Sequence, residues 1–466
     1  MDKLLYEIHN YISDYEMINN GDRIVVGISG GADSVCLALV LIKLADKLGI
    51  TTNDIIAVHI NHMIRGDEAD RDEQFVKDFA DKQGIKIITY HKDINGYAKE
   101  LGCTTEEAGR MFRYDCFNEV CNEYNCNKIA VAHNKNDLAE TVIFNMIRGA
   151  GLRGMSGIKP VRDNVIRPLL NTERKYIEEF LTSMNQEYRD DSTNEMLDYD
   201  RNKIRHIILP AMQDINKGAI KHICQMAEDS KNTYSYIHDK ALEKYQGYVE
   251  DDEFGRTATL DVNKIFKYNP VLQEHMIHEA ICDVAKLKKD ITRKHVMSVV
   301  GLLYQDTGKA VELPYGIRAR RSYDKIIISN KQTVESDYNI EICENGVYDI
   351  PKWGSIQVKF MDAHPDIEVI KKIYTKMIDY GKIKDTLCLR TPEDGDYIVI
   401  DGKGNTKKLS RVFIDNKIDR ELRGSWPVFA CGHEIIWAIG LRYSEAYKID
   451  ESTEKLLYME CIGKGE

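Results

Sequence analysis

Residues 24–34 read IVVGISGGADS, an apolar strand that turns within two residues into the start of a helix. Gly30 and Gly31 allow that turn because neither carries a Cβ to clash with the backbone. The amides that follow, the hydroxyls of Ser29 and Ser34 and the positive end of the next helix form a cradle for a polyphosphate anion, with Ala32 inside the same loop. Asp33 does not belong in a simple anion cradle. A carboxylate beside phosphates is repelled unless a cation lies between them, so Asp33 implies Mg²⁺ bridging it to a nucleotide. A plain strand-to-helix turn is the competing reading, and it leaves Asp33 and both serines unexplained. The segment lacks the Gly-Lys-Ser/Thr ending of the common γ-phosphate-transferring loop, and it lacks the spaced three-glycine dinucleotide fingerprint.

Outward from the loop, short apolar runs alternate with amphipathic stretches, the signature of parallel strands joined by helices. Strands are expected at 24–28, 55–60, 85–90, 128–132 and 165–170. Helices are expected after Ser34, from Asp67 and from about Asn136, and one opens with Thr104 and Glu107 in capping-box spacing. At 466 residues the chain exceeds one ordinary hydrophobic core, so several domains are expected. The pattern divides it into an α/β part at 1–212, a mainly helical part at 213–335, and a small C-terminal part at 336–466 in which short alternating strands return.

No apolar run approaches the roughly 20 residues that cross a bilayer. The N-terminal MDKLLYEIHNYISDYEM carries acids throughout, unlike a signal sequence. The eleven cysteines are odd in number and scattered, and the five-residue spacing of Cys116, Cys121 and Cys126 matches neither a metal knuckle nor a redox pair, which suits reduced thiols and a cytoplasmic location. The net charge of −11 is a poor match for non-specific coating of nucleic acid, so an RNA partner would have to meet a local basic face. Acids crowd 67–73 and 250–253. Bases gather at Arg148, Arg153, Lys159, Arg162 and Arg167, at Arg318, Arg320 and Arg321, and at Lys403, Lys407, Lys408 and Arg411. Each cluster alone reads as a solvated surface.

A second constellation follows the fourth strand. His133 falls at its carboxyl end, where open parallel sheets bind ligands, and Asp137, Glu140 and Thr141 share one face of the next helix. Two acids and an imidazole converging on the cradle could hold metal, bind a cationic substrate or place a base near a reacting amine. An acid-capped helix start accounts for Asp137 alone. Arg110, Arg113 and Tyr114 share a face that suits phosphates or a surface ion-pair row, and Arg201, Asn202 and Arg205 sit on adjoining helical turns, at a spacing that suits RNA phosphates.

The SGGADS loop resembles that of the PP-loop, or N-type ATP pyrophosphatase, superfamily, whose pattern is SGGxDS. That superfamily cleaves ATP between the α- and β-phosphates and adenylates its substrate. Further segments resemble one of its families, the tRNA(Ile)-lysidine synthases, and follow in that family's order: HINHMIRGDEADRDEQFV (59–76), EEAGRMFRY (106–114), AHNKNDLAETVIFNMIRGAGLRG (132–154), RPLL (167–170) and DRNKIRHIILP (200–210). Asn134 departs from the pattern, since many relatives carry a second histidine there; His133 remains the candidate. More loosely, 291–328 resembles the family's substrate-binding region, with Lys309 and Arg318 to Arg321 available for RNA. LRTPEDGDYI, KKLSRVFIDNKIDRELR and EIIWAIGLR resemble the C-terminal domain of its longer members, with Arg390, Lys407, Lys408, Arg411, Lys417, Arg420 and Arg423 as RNA contacts.

The resemblance implies a Rossmann-like parallel sheet with a PP-loop (adenine nucleotide alpha hydrolase-like), a mainly helical tRNA-binding domain and a small C-terminal α+β domain. It implies ATP and Mg²⁺, L-lysine, a tRNA(Ile) with a CAU anticodon and a cytidine adenylate. Ser29, Gly30, Gly31, Ala32, Asp33, Ser34 and His59 would bind the nucleotide, Asp33 the metal. Asp33, His133, Asp137, Glu140, Arg113 and Arg205 would serve the chemistry. The family's longer members are dimers, so a homodimer is expected on that basis alone. Three other readings compete. A tRNA-thiolating relative would need sulfur-delivering cysteines, and no Cys-x-x-Cys pair occurs; an amidating relative would need an ammonia source, and no N-terminal glutaminase cysteine is present. A non-catalytic RNA-binding module would have no use for Ser29, Asp33 and His133 together.

Overall fold

A computed structural model describes residues 2–64, 66–189, 200–245, 248–252, 255–287, 290–331, 337–351, 353–363 and 372–462. Arg65 of the 59–76 motif, Glu253 of the acidic run and residues 190–199, which precede the 200–210 motif, lie outside them. The chain divides into two compact units, Met1–Tyr236 and Ile237–Glu466.

The first unit opens with α1 (Asp2–Asp14), then β1 (Ile24–Gly27), α2 (Ala32–Leu48), β2 (Ile55–Asn61), α3 (Asp67–Gln83), β3 (Lys86–His91), α4 (Ile94–Leu101) and α5 (Thr105–Tyr124). It continues with β4 (Lys128–Ala130), α6 (Lys135–Ile147), α7 (Leu152–Met155), β5 (Val161–Arg162), β6 (Val165–Ile166) and α8 (Arg174–Ser183). From Asp200 come α9 (Asp200–Lys203), a π-helical turn (Ile204–Ile208), α10 (Leu209–Ile215) and α11 (Ala219–Lys244), whose residues after Tyr236 belong to the second unit. The strands form a sheet in the order β3-β2-β1-β4-β6-β5, parallel except for the β5–β6 hairpin. Strand order reverses between β1 and β4, so the crevice at their carboxyl ends is where such a sheet binds ligands. The expected alternation is observed, with Thr104 capping α5 through the amide of Glu107 at 3.2 Å.

Helix α2 is buried along most of its length because Val35, Leu37, Leu39 and Leu41 face covering elements as well as the sheet. One of those elements is α1, which seats Ile8 and Ile12 in the same core. Such burial anchors the loop that precedes α2, since loop movement would drag a close-packed helix with it.

In the second unit the expected helices from Val271 and Thr292 appear as α13 (Pro270–Ala285) and α14 (Arg293–Leu302), with the short α12 (Val262–Ile265) before them. They pack on an antiparallel sheet made of β7 (Tyr248–Asp252), β8 (Gly255–Asp261), β9 (Ala310–Glu312), β10 (Arg318–Ser322) and β11 (Lys325–Ser329). The unit is completed by antiparallel pairs that include Gly354–Asp362 with Lys455–Ile462 and Val428–Cys431 with Glu434–Ala438. Among the described residues, no helix is long and apolar enough to cross a membrane.

Several basic residues expected to face RNA are committed to protein partners. Arg390 is only 3% exposed, and its guanidinium grips both oxygens of Asp396 at 2.8 and 2.9 Å. Burial of that charge is tolerable because the fork is paired on both arms, which makes Arg390 a structural cation instead of a phosphate contact. Arg320 pairs with Asp419 and Glu421, and Arg318 with Glu312 and Glu421.

Candidate active site

The loop after β1 is held by its own serines. Ser34 Oγ donates to the Gly31 carbonyl at 2.9 Å, accepts from the Ser29 amide at 3.1 Å and lies 3.2 Å from Ser29 Oγ. Gly30 has φ +91, a left-handed conformation that any side chain would strain, and its carbonyl accepts from the Arg189 amide at 2.9 Å. Gly31 is the N-cap of α2, so Asp33 falls in the first helical turn.

A cavity of about 540 Å³ opens at the carboxyl ends of the strands. Ser29, Gly31, Ala32, Asp33 and Ser34 line one side, His59 and Asn61 at the end of β2 another, and Ala132 and His133 after β4 a third. Arg110, Arg113, Arg174, Arg189 and Arg205 also line it, against the carboxylates of Asp33 and Asp72. The excess of guanidinia suits a polyanion, because such a site gains more by neutralisation in a shielded cleft than on an open surface.

Asp33 is not bare. Its Oδ1 accepts from Asn134 Nδ2 at 2.9 Å and its Oδ2 pairs with Arg174. Burial raises its pKa above the ordinary carboxylate value; Arg174 opposes that shift, and the neighbouring Asp137 adds to it.

Asp137 and Glu140 lie outside the cavity wall, 9% and 1% exposed. Asp137 Oδ2 accepts the Asn134 amide at 2.9 Å while Asn134 Oδ1 accepts the amides of Asn136 and Asp137, a reciprocal cap on α6. The remaining oxygens meet two arginines. Arg205 reaches Glu140 at 2.6 and 3.1 Å and Asp137 at 2.9 Å, and Arg201 reaches them at 3.0 and 3.3 Å. Apolar packing sets this up: Ala139, Val142 and Ile143 of α6 pack with Ile204, Leu209 and Ile220, which lays Arg201 and Arg205 across the acids.

His133 sits among cations. Burial, followed by Arg167, Arg201, Arg110 and Arg113, pushes its pKa down to about 3, so its imidazole is neutral near pH 7. Its Nδ1 is buried and has no hydrogen-bond partner among the described residues. His59 Nδ1 lies 2.9 Å from the Ile28 carbonyl, and burial lowers its pKa as well.

Comparison with known proteins agrees with this geometry. Residues 2–212 match the PP-loop domain family model, and residues 387–460 match that of the TilS substrate C-terminal domain. A tRNA(Ile)-lysidine synthase from Caldanaerobacter subterraneus subsp. tengcongensis is 36% identical over 459 residues, spanning 98% of this chain and 97% of the relative. One from Clostridium tetani is 34% identical over 467 residues, spanning 98% of each. The chain belongs to the tRNA(Ile)-lysidine synthase family.

For this tRNA(Ile)-lysidine synthase family member, the residues singled out in the sequence divide by position. Ser29, Gly31, Ala32, Asp33, Ser34, His59, Arg113, His133 and Arg205 share one cavity, whereas Gly30 supports the loop from behind and Asp137 and Glu140 stand behind Arg205. Arg201 and Arg205, whose spacing suited RNA phosphates, lie on carboxylates here. Arg174 and Arg189 were not anticipated. A signal for Arg174 existed, since it is the first residue of α8 and a cation there opposes the helix dipole, a placement that calls for another partner.

The environment of His133 has a direct consequence. Its imidazole is expected to stay neutral from pH 8 down to about pH 5, where an unperturbed histidine titrates. The unfolded chain takes up this proton near 6.5 and the folded one near 3, so acidification through that interval destabilises the fold. Imidazole NMR of the His133→Asn variant identifies the signal by its loss; a native resonance titrating near 6.5 would contradict the burial argument.

Proposed function

We propose that this protein joins L-lysine to C2 of the wobble cytidine in the CAU anticodon of tRNA(Ile), using ATP. The convergence of the phosphate loop, a neutral His133 and the guanidinia of Arg113 and Arg205 on one cavity carries the reading. The Ser29–Ser34 loop holds the β,γ-phosphates, and the cytosine C2 oxygen attacks the α-phosphorus with loss of pyrophosphate. The lysine ε-amine, in its neutral form, then attacks C2, releases a proton to solvent and expels AMP, so atoms and charge balance over the two steps. Arg113 and Arg205 face the phosphates and offset charge that builds at the α-phosphorus. A single-stranded anticodon loop presents its base at little unstacking cost.

Asp33 suits Mg²⁺: it is an oxygen donor beside the loop that already attracts a cation, Arg174. Mg²⁺ would neutralise charge on the leaving pyrophosphate. Asp137 and Glu140 act by fixing Arg205 and Arg201. A cytoplasmic location suits the tRNA and ATP substrates, and a homodimer is proposed only on the likeness to the family's longer members.

Incubation with ATP, Mg²⁺, lysine and a CAU-anticodon tRNA(Ile) transcript, followed by nuclease digestion and mass analysis, tests the assignment. A lysine adduct on the wobble cytidine is expected. Pyrophosphate release without that adduct would sink the substrate assignment and leave only adenylation.

A further inference from the structure

Arg174 begins α8 with its backbone amide donating to Asn136 Oδ1 at 3.1 Å, which ties it to the start of α6. Its Nε donates to Glu178 Oε1 at 2.7 Å, and its NH1 pairs with Asp33 Oδ2. The side chain is about one-third exposed and lines the cavity. Asn134 donates to one oxygen of Asp33 and Arg174 holds the other, so a metal ion that takes Asp33 as a ligand would have Arg174 beside it. Two cations held on one carboxylate repel each other, so each weakens the hold of the other.

We propose that Arg174 is a placeholder counter-ion for Asp33. It keeps the half-buried carboxylate paired until the metal–nucleotide complex binds, then passes to the phosphates. This rests on the assignment of Asp33 as the metal carboxylate. Three features make the transfer feasible. The bond to Glu178 through Nε survives release of Asp33, so the guanidinium remains tethered beside the loop. Arginine keeps its charge throughout and presents further N–H donors on its NH1 and NH2 arms, a fork that matches phosphate oxygens. An exchange of carboxylate for phosphate leaves neither of these half-buried charges without a partner at either stage, which lowers the cost of the transfer.

The test uses the full-length protein and two titrations. Mn²⁺ binding without nucleotide is followed by the electron paramagnetic resonance of free Mn²⁺. Binding of adenosine (α,β-methylene)triphosphate with Mg²⁺ is followed by calorimetry. In Arg174→Gln, Mn²⁺ alone should bind more tightly because its competitor is gone, while the nucleotide analogue with Mg²⁺ should bind about ten- to hundredfold more weakly, the worth of a charge-assisted contact. A residue that merely braced the fold would weaken both. Arg174→Lys retains a cation for Asp33 and loses the fork, so Mn²⁺ affinity should stay near native and analogue affinity should fall. Unchanged or weakened Mn²⁺ binding in Arg174→Gln overturns the placeholder role. Asp33→Asn separates the two levels: loss of Mn²⁺ binding there with no change in Arg174→Gln rejects the placeholder alone, whereas native Mn²⁺ binding in Asp33→Asn removes the metal assignment beneath it.

Discussion

Replacing Asp33 by Asn is expected to lower pyrophosphate release by about three orders of magnitude while leaving tRNA affinity unchanged. The substitution keeps shape and removes charge. Without the charge, the position loses its hold on a divalent cation, and metal stabilisation of a phosphoryl transition state is worth several kcal/mol, with each 1.36 kcal/mol a factor of ten. The fold should tolerate the change, because burial already disfavours the charged form of Asp33, and Arg174, about one-third exposed, keeps Glu178 as a partner. Asn134 Nδ2 can still donate to the amide oxygen, and the α2 core does not depend on the carboxylate. RNA affinity is spared because Asp33 is an anion, and removing it takes away no phosphate contact. A coupled pyrophosphatase assay and filter binding on the same preparation give the two readings. Native release would place the metal elsewhere, and a parallel loss of tRNA binding would point to a damaged fold.

The sequence revealed this loop because its signal is local. Two glycines, two serines and an acid within six residues dictate a turn and a cradle whatever the rest of the chain does, and the alternation of apolar runs around them dictates a parallel sheet. His133 was legible for a related reason: the end of an apolar run marks the end of a strand. Pairings between distant segments were not legible. Asp33 meets Arg174 across 141 positions and Asp137 meets Arg205 across 68, and no periodicity reports which acid a given arginine will find. Arg201 and Arg205 show the consequence, since identical spacing serves RNA phosphates or buried carboxylates, and only the packing of Ile204 and Leu209 against α6 decides between them. The sheet at 248–329 escaped for the opposite reason. Its strands are short and follow clear helical runs, so the helices dominated the reading.

Glu140→Gln should cost both stability and rate, and the pattern of the rate loss distinguishes two roles for the carboxylate. Glu140 is 1% exposed and accepts three guanidinium hydrogen bonds, two from Arg205 and one from Arg201. The amide of glutamine keeps one acceptor and turns N–H donors toward a guanidinium. Breaking a fully buried pair costs about 3–5 kcal/mol. Here the arginine side chains are 35% and 44% exposed and retain water, so a loss of about 1–2 kcal/mol is expected, a fall of several degrees in the unfolding midpoint. Arg205 then loses its fixed direction into the cavity, and misplacement on the order of 1 Å costs about a hundredfold in rate. If Glu140 acts by aiming Arg205, the loss falls on adenylation itself, so single-turnover pyrophosphate release in the absence of lysine slows while the KM for lysine barely changes. If Glu140 instead held the lysine ammonium, release without lysine would stay native and the KM for lysine would rise. The three bonds from Arg201 and Arg205 favour the first outcome, because a substrate ammonium could reach Glu140 only after both guanidinia had been displaced from a carboxylate that does not line the cavity.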